Sequence, residues 1–213
     1  MIKNITFDLD GTLIDSYKTI FKAAESTLHH LGIKVQLNEK EFYKRIGHHF
    51  LDIFKELNIP VFNFEEFIQI YKKIYFDYID DSKMYPGLLD TLEFLRDKKL
   101  YISLLTTKGQ DQADKIIDYF NLRKYFSVVM GRRDNIANKP SAEPLLIICK
   151  ELKVMPVETL MVGDTELDIQ CGKNAGAKTC GCSYGYRTSD LLNLENPDFI
   201  ISSISDLPHL ISI

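Results

Sequence analysis

Residues 7–12 read Phe-Asp-Leu-Asp-Gly-Thr and follow a short apolar run that begins at Ile2. The run is rich in β-favouring residues, and Gly11 supplies the break that ends a buried strand. A strand over residues 2–7 is therefore predicted, with Asp8 at its carboxyl end. In a parallel sheet that edge is where ligands bind, and Asp8 and Asp10 lean towards the same side of it. The same residue types also form ordinary strand-ending turns, so the rest of the chain decides between a turn and a site.

The composition limits the classes of protein that fit. The chain has 213 residues, 45% of them apolar, and a net charge of −4 with both signs mixed. Neither a nucleic-acid partner nor a membrane partner is expected, since basic patches and long apolar runs are missing from the sequence. The short lead-in to Asp8 does not resemble a signal peptide, so a cytoplasmic protein is expected, either a monomer or a homodimer. Cys180 and Cys182 are interpreted as buried core thiols rather than as metal ligands.

From residue 84 onward, short apolar runs alternate with amphipathic segments. Strands are predicted over residues 101–105, 128–130, 160–162, 179–182 and 199–201, with helical stretches between them. Strand and helix in alternation imply a parallel sheet with helices on both faces. The fold class is therefore predicted as α/β, a Rossmann-like sheet formed by residues 1–14 and 84–213.

Residues 15–83 break this alternation. Apolar residues recur there at helical spacing in three sets, around Phe21 to Leu31, Phe42 to Leu57 and Phe67 to Tyr78. The second set predicts a single helix. The whole segment is predicted to be a small all-α cap domain inserted after the first strand, with its connections near Asp15 and near Pro86.

Three later motifs place polar side chains at strand ends or helix starts of the predicted sheet. Thr106 ends the strand at 101–105, Lys139 stands before Pro140 at the start of a helix, and Asp164 and Asp168 follow the strand at 160–162. Each has an ordinary structural explanation, and for Asp164 that explanation is capping of the next helix. Their order along one parallel sheet favours a common site instead.

Together these motifs resemble the haloacid dehalogenase-like phosphohydrolases along the whole chain. The resemblance implies that Asp8 is the nucleophile and that Asp10 protonates the leaving alcohol and then activates water. It also implies that Thr106 and Lys139 bind the phosphoryl oxygens. Thr107 stands where many relatives carry Asn, and it is a candidate substrate-binding residue.

A metal ion is expected among the acids. Two carboxylates about 5 Å apart repel each other by roughly 3 kcal/mol at an effective dielectric constant of about 20, so four converging carboxylates need a cation. The candidate ligands Asp8, Asp10, Asp164 and Asp168 offer only oxygen, which favours Mg²⁺. In the resemblance Asp10 binds through its backbone carbonyl, and Asp168 binds directly or through water.

The substrate is less closely specified. Asp10 argues against the dehalogenases proper, and several strings are similar to the phosphoglycolate phosphatase branch, so a small phosphomonoester such as phosphoglycolate is the first choice. Gly47 and His48 lie where relatives carry a cap substrate loop. Pyrophosphatase and β-phosphoglucomutase activities are alternatives, although Phe50 stands near the position of the mutases' arginine. A phospho-receiver domain or a non-catalytic scaffold is the alternative of another class.

Overall fold

The computed structural model describes residues 1–211. The chain forms two compact units. One, here called the sheet unit, contains Met1–Ile14 and Met84–Ile213, and the other, the helical unit, contains Asp15–Lys83. No helix within residues 1–211 is both long enough and apolar enough to cross a bilayer.

Eight strands are described, and six of them form one parallel sheet in the order β5-β4-β1-β6-β7-β8. The strands are β1 (Asn4–Phe7), β2 (Ile14–Asp15), β3 (Lys83–Met84), β4 (Tyr101–Gly109), β5 (Val128–Arg132), β6 (Thr159–Gly163), β7 (Lys178–Cys182) and β8 (Phe199–Ile201). The predicted strands are confirmed, with ends that differ by up to four residues. The short strands β2 and β3 pair with each other at the two connections between the units.

The α-helices follow the amphipathic segments. They are α1 (Tyr17–His30), α2 (Glu39–Tyr43), α3 (Phe50–Glu56), α4 (Phe64–Asp77), α5 (Leu88–Asp97), α6 (Gln110–Tyr119), α7 (Glu143–Leu152), α8 (Glu166–Ala175), α9 (Ser189–Asn193) and α10 (Leu207–Ile211). α7 and α8 pack on the sheet through an apolar cluster that includes Leu105, Met130 and Ile148. The predicted α/β class, a parallel sheet covered by helices, is confirmed.

A buried polar network fixes the register of the central strands. The Asn4 amide donates to the Thr6 hydroxyl at 2.9 Å and accepts from the Ser103 hydroxyl at 3.0 Å. Slipping a strand by one residue would turn its side chains to the opposite face and leave these buried groups without partners. The network therefore holds β1 and β4 in the register that places Asp8.

The helical unit departs from its prediction in one place. The expected single helix around Phe42 to Leu57 is wrong, because α2 ends at Tyr43 and α3 begins at Phe50. Gly47 lies between them with φ +101°, a backbone conformation that an α-helix cannot contain. The apolar spacing continues across the break because α2 and α3 each bury an apolar face, which includes Phe42 in α2 and Ile53 in α3.

Candidate active site

The site is built where three neighbouring strands of the sheet end. Asp8 follows β1, which lies between β4 and β6, and its backbone N–H donates to the Val162 carbonyl at 2.9 Å. Asp164 follows β6, and Thr106 lies buried in β4. The parallel register therefore brings side chains from residues 8, 106 and 164 to one edge, as predicted for the carboxyl ends of the strands.

Three buried carboxylates converge at this edge. Asp8, Asp164 and Asp168 each offer an oxygen, and the three oxygens lie within 4.8 Å of one another. Burial raises the pKa of Asp8 to about 7, with repulsion from Asp168 and Asp10 acting in the same direction and the Lys139 ammonium acting against it. Burial, followed by repulsion from Asp8 and Asp168, also raises the pKa of Asp164 well above its usual range.

Lys139 is the buried cation of the cluster. Its Nζ lies 2.7 Å from Asp8 Oδ1 and 2.5 Å from Asp168 Oδ1, and its side chain is only 3% exposed. Burial alone would lower the pKa of Lys139, but the two carboxylates raise it above its usual range. The ammonium is therefore charged at neutral pH, and it ties the nucleophile candidate to the acid on α8.

The other oxygen of Asp168 is also engaged by the protein. Asp168 Oδ2 accepts from the Thr165 backbone N–H at 3.0 Å and from the Thr165 hydroxyl at 2.8 Å. Thr165, rather than Asp164, is the N-cap of α8, so the capping explanation for Asp164 is wrong. Asp168 itself forms part of the capping box at the start of α8 through Oδ2, and it binds Lys139 through Oδ1.

Asp164 is held by two residues that are distant in sequence. The Thr12 hydroxyl donates to Oδ1 at 3.0 Å, and the Tyr186 backbone N–H donates to Oδ2 at 2.8 Å. Two glycines allow the close approach, because a Cβ on Gly11 would overlap the Asp164 carboxylate and one on Gly185 would overlap the Asp164 Cβ. Gly11 also has φ +82°, which disfavours any side chain there.

Asp10 lies apart from the three converging oxygens. Its Oδ2 is 3.3 Å from the Nζ of Lys108, and both side chains are mostly buried. Lys108 is a site residue that the sequence motifs did not indicate. The sequence feature that could have indicated Lys108 is its position directly after Thr106 and Thr107, where β4 leaves the core. Thr106 accepts a hydrogen bond from the Lys108 backbone N–H at 3.3 Å, and Thr107 is half-buried beside it.

The charges of the site are not balanced by the protein alone. With all four aspartates ionised, the two ammonium groups of Lys108 and Lys139 leave an excess of two negative charges. Carboxylate oxygens that converge with unbalanced charge are a donor set that suits a hard divalent cation. The residues present therefore fit Mg²⁺.

The sequence of the chain also matches a known protein family. Residues 5–182 match the haloacid dehalogenase-like hydrolase family. The chain belongs to the haloacid dehalogenase-like hydrolases. The prediction from sequence is confirmed, and with it the enzyme class, a phosphatase of this family. Response-regulator receivers are excluded by the same match.

Individual members of the haloacid dehalogenase-like family resemble the chain over nearly its full length. The phosphoglycolate phosphatase of Aquifex aeolicus is 37% identical over 212 residues, which cover 97% of this chain and 95% of the relative. A provisionally named pyrophosphatase of Clostridium perfringens is 35% identical, with 99% and 98% covered. The crystal structure of a predicted phosphoglycolate phosphatase from Haemophilus somnus superposes with a TM-score of 0.84 at 26% identity, covering 99% of this chain and 98% of that one.

The segment at residues 183–187 completes this haloacid dehalogenase-like site. Besides the Tyr186 contact, the Tyr184 hydroxyl donates to the Thr12 carbonyl at 3.0 Å. Arg187, 7% exposed, forms an ion pair with Glu166 of α8 at 2.8 Å. The string Ser-Tyr-Gly-Tyr pointed to a family branch, but the sequence alone did not indicate that its backbone holds Asp164.

The predicted cap residues lie in the helical unit. Gly47 and His48 are half-buried in the connection between α2 and α3. Arg45 braces this connection, with its Nε 2.8 Å from Glu56 and an Nη atom 2.9 Å from Glu41. Their role in substrate binding stays a prediction.

Proposed function

We propose that the protein is a Mg²⁺-dependent phosphatase that hydrolyses a small phosphomonoester, phosphoglycolate first among the candidates, through an aspartyl-phosphate intermediate. The observation that carries the proposal is the buried cluster of Asp8 with Asp164, Asp168 and Lys139 at the carboxyl edge of the sheet. A carboxylate held there can attack a phosphoryl group. The buried ammonium beside it stabilises the carboxylate as its charge changes.

In the first half of the reaction, an Asp8 carboxylate oxygen forms a bond to phosphorus while the bond from phosphorus to the ester oxygen breaks. Asp10 gives its proton to that departing oxygen, so the product leaves as an alcohol. Lys139 and Thr106 donate to the phosphoryl oxygens, where charge accumulates in the transition state.

In the second half, water attacks the phosphorus of the aspartyl phosphate and the bond to Asp8 breaks. Asp10, now a carboxylate, takes a proton from that water, which restores the starting state of both acids. Lys108 lies against Asp10 Oδ2, and in this proposal it orients the Asp10 carboxyl group in both halves.

The metal would be held by the Asp8 and Asp164 carboxylates, with the Asp10 backbone carbonyl beside them. When bound, Mg²⁺ supplies positive charge next to the phosphoryl oxygens and offsets the excess negative charge of the aspartates. Asp168 Oδ1 accepts from Lys139, and Asp168 Oδ2 accepts from Thr165. We therefore assign Asp168 to holding Lys139 and to supporting the metal from outside the ligand set.

The choice of substrate is proposed from the relatives and the organisation of the chain. The Aquifex relative is named a phosphoglycolate phosphatase, and at 37% identity it favours that substrate. The Clostridium perfringens relative, at 35%, makes pyrophosphate the second candidate. We propose that the unit at residues 15–83 acts as the cap and that Gly47, His48 and Thr107 contact the leaving group.

The test is phosphate release from phosphoglycolate, pyrophosphate, hexose phosphates and nucleotides, with Mg²⁺ or with chelator. Release should require Mg²⁺ and should disappear in Asp8→Asn, while Asp97→Asn, an exposed control at the end of α5, should retain it. Asp10→Asn should accumulate phosphoenzyme with a good leaving group. Full activity in Asp8→Asn would overturn the mechanism, and full activity in chelator would overturn the metal.

A further inference from the structure

A small crevice shares two residues with the proposed phosphoryl site. It lies between the end of β5 and the loop that leads to α7. Its lining includes Thr106 and Lys139 together with Arg132, Arg133 and Asn138. The crevice therefore includes two residues assigned to the phosphoryl oxygens, and the rest of its wall carries additional positive charge.

Arg132 is the distinctive residue of that wall. It is the last residue of β5, paired in register with Gly109, and it is half-buried. Among residues 1–211 its guanidinium has neither a hydrogen-bond acceptor nor a carboxylate partner. A partly buried guanidinium with five donors and no acceptor favours an anion from outside the chain.

Arg133 is adjacent to Arg132 and differs from it in exposure and in hydrogen bonding. It is exposed, its Nε donates to Gln110 at 2.9 Å, and an Nη atom donates to the Val129 carbonyl at 3.1 Å. Its side chain is thus committed to the protein, while that of Arg132 is not. The two arginines share sequence context and formal charge, so they form a natural pair for comparison.

The surroundings of Arg132 strengthen its attraction for an anion. Apolar side chains, including Leu105, Ile136 and Pro144, form much of the crevice. A charge pair against an apolar wall is screened less than one in open water. Within residues 1–211, the carboxylates of the catalytic cluster form ion pairs with Lys108 and Lys139 and not with Arg132.

We infer that Arg132, which lines this crevice, binds a second anionic group of the substrate and is a specificity-determining residue. The inference rests on the proposed phosphatase function and narrows its substrate class to phosphate esters or anhydrides whose leaving group is itself anionic. A carboxylate on a short leaving group and a second phosphoryl group both satisfy this chemistry. Arg132 takes no part in bond making, and it acts by holding the leaving group beside Thr106.

The test compares anionic with uncharged leaving groups. Values of kcat and KM are measured for phosphoglycolate, pyrophosphate and phenyl phosphate with the wild type, Arg132→Met, Arg132→Lys and Arg133→Met. Loss of a charge-assisted hydrogen bond should lower kcat/KM of Arg132→Met for an anionic leaving group by about tenfold or more, mainly through KM. Phenyl phosphate should change by less than about twofold, Arg132→Lys should recover part of the loss, and Arg133→Met should resemble wild type.

Comparison of the three substrates distinguishes a carboxylate from a phosphoryl group as the anion that Arg132 binds. A loss confined to phosphoglycolate identifies a carboxylate site, and a loss confined to pyrophosphate identifies a phosphoryl site, and either supports the inference. Equal losses for all three substrates, or no loss for any, would overturn it. Unchanged phenyl phosphate turnover also shows that the variant is folded.

A binding measurement separates this inference from the proposed function. Calorimetry with phosphoglycolate and with pyrophosphate compares Asp8→Asn with the double variant Asp8→Asn/Arg132→Met, neither of which needs to turn over. Weaker binding by about tenfold to the double variant supports the anionic subsite even if the wild type proves inactive. Equal affinities overturn it even if the wild type proves to be an active phosphatase.

Discussion

Replacing Asp8 with Asn should stabilise the metal-free protein while it abolishes activity. Asp8 is buried among like charges, and its pKa is raised from 3.8 to about 7. A carboxyl group with a raised pKa binds its proton more tightly in the folded state, so the free energy of unfolding falls as the pH rises between these two values. Asn has the shape of the carboxyl group and carries no charge, so this fall is removed.

The magnitude follows from the shift. At about 1.4 kcal/mol per pKa unit, the raised pKa of Asp8 lowers the stability of the wild type by about 2 kcal/mol near pH 5, where only the unfolded chain gives up the proton, and by about 4 kcal/mol near pH 8. The advantage of Asp8→Asn should grow accordingly with pH and level off above about pH 7. For a chain of this length each kcal/mol corresponds to roughly 2–4 °C in melting temperature.

The assay is thermal unfolding in chelator, followed by circular dichroism across this pH range. Asp198→Asn is the matched control: burial acts to raise its pKa, but hydrogen bonds from Lys178 and Thr179 lower it overall. That variant should lose stability at neutral pH, which is the opposite sign. Addition of Mg²⁺ should raise the melting temperature of the wild type more than that of Asp8→Asn. A melting temperature for Asp8→Asn at or below wild type near pH 8 would refute the reasoning.

Other substitutions test separate contacts. Lys139→Met leaves two buried carboxylates without their shared cation and should cost about 3–5 kcal/mol in denaturant unfolding; a loss below about 1 kcal/mol would contradict the buried ion pairs. Gly11→Ala forces a methyl group into the Asp164 carboxylate and should reduce both Mg²⁺ affinity and stability, as calorimetry and melting curves would detect. Lys108→Met should slow phosphoenzyme breakdown by about tenfold by releasing Asp10, with Lys108→Arg restoring part of the rate, and an unchanged burst and steady state would argue against this contact.

The parts of the site that the sequence predicted are those with local signals. Asp8 and Asp164 each follow a short buried strand, and a strand end can be recognised within a few residues of sequence. Once the strands are taken as parallel, their ends share one edge, so the convergence follows from topology. The predicted class of fold needed no more than this alternation.

The parts that were missed depend on partners distant in sequence. The Lys108 side chain reaches back nearly a hundred residues to Asp10, and the Tyr186 backbone reaches back past β7 and α8 to Asp164. Periodicity carries no information about such contacts. The expected helix across Gly47 failed for another reason, since apolar spacing alone does not reveal a positive φ.

The position of β1 in the sheet has a consequence for how the enzyme is made. β1 precedes β4 and β6 along the chain, yet it lies between them in the sheet, and their residues begin at Tyr101 and Thr159. The strand that carries the nucleophile therefore has both backbone edges unpaired until β4 is made, and the edge that faces β6 stays unpaired until β6 follows. A nascent chain that stops before Thr159 presents an open edge for aggregation, and only one extended past Tyr186 can fix Asp164. Catalytic competence is thus gained only after the segment that contains Tyr186 has been made.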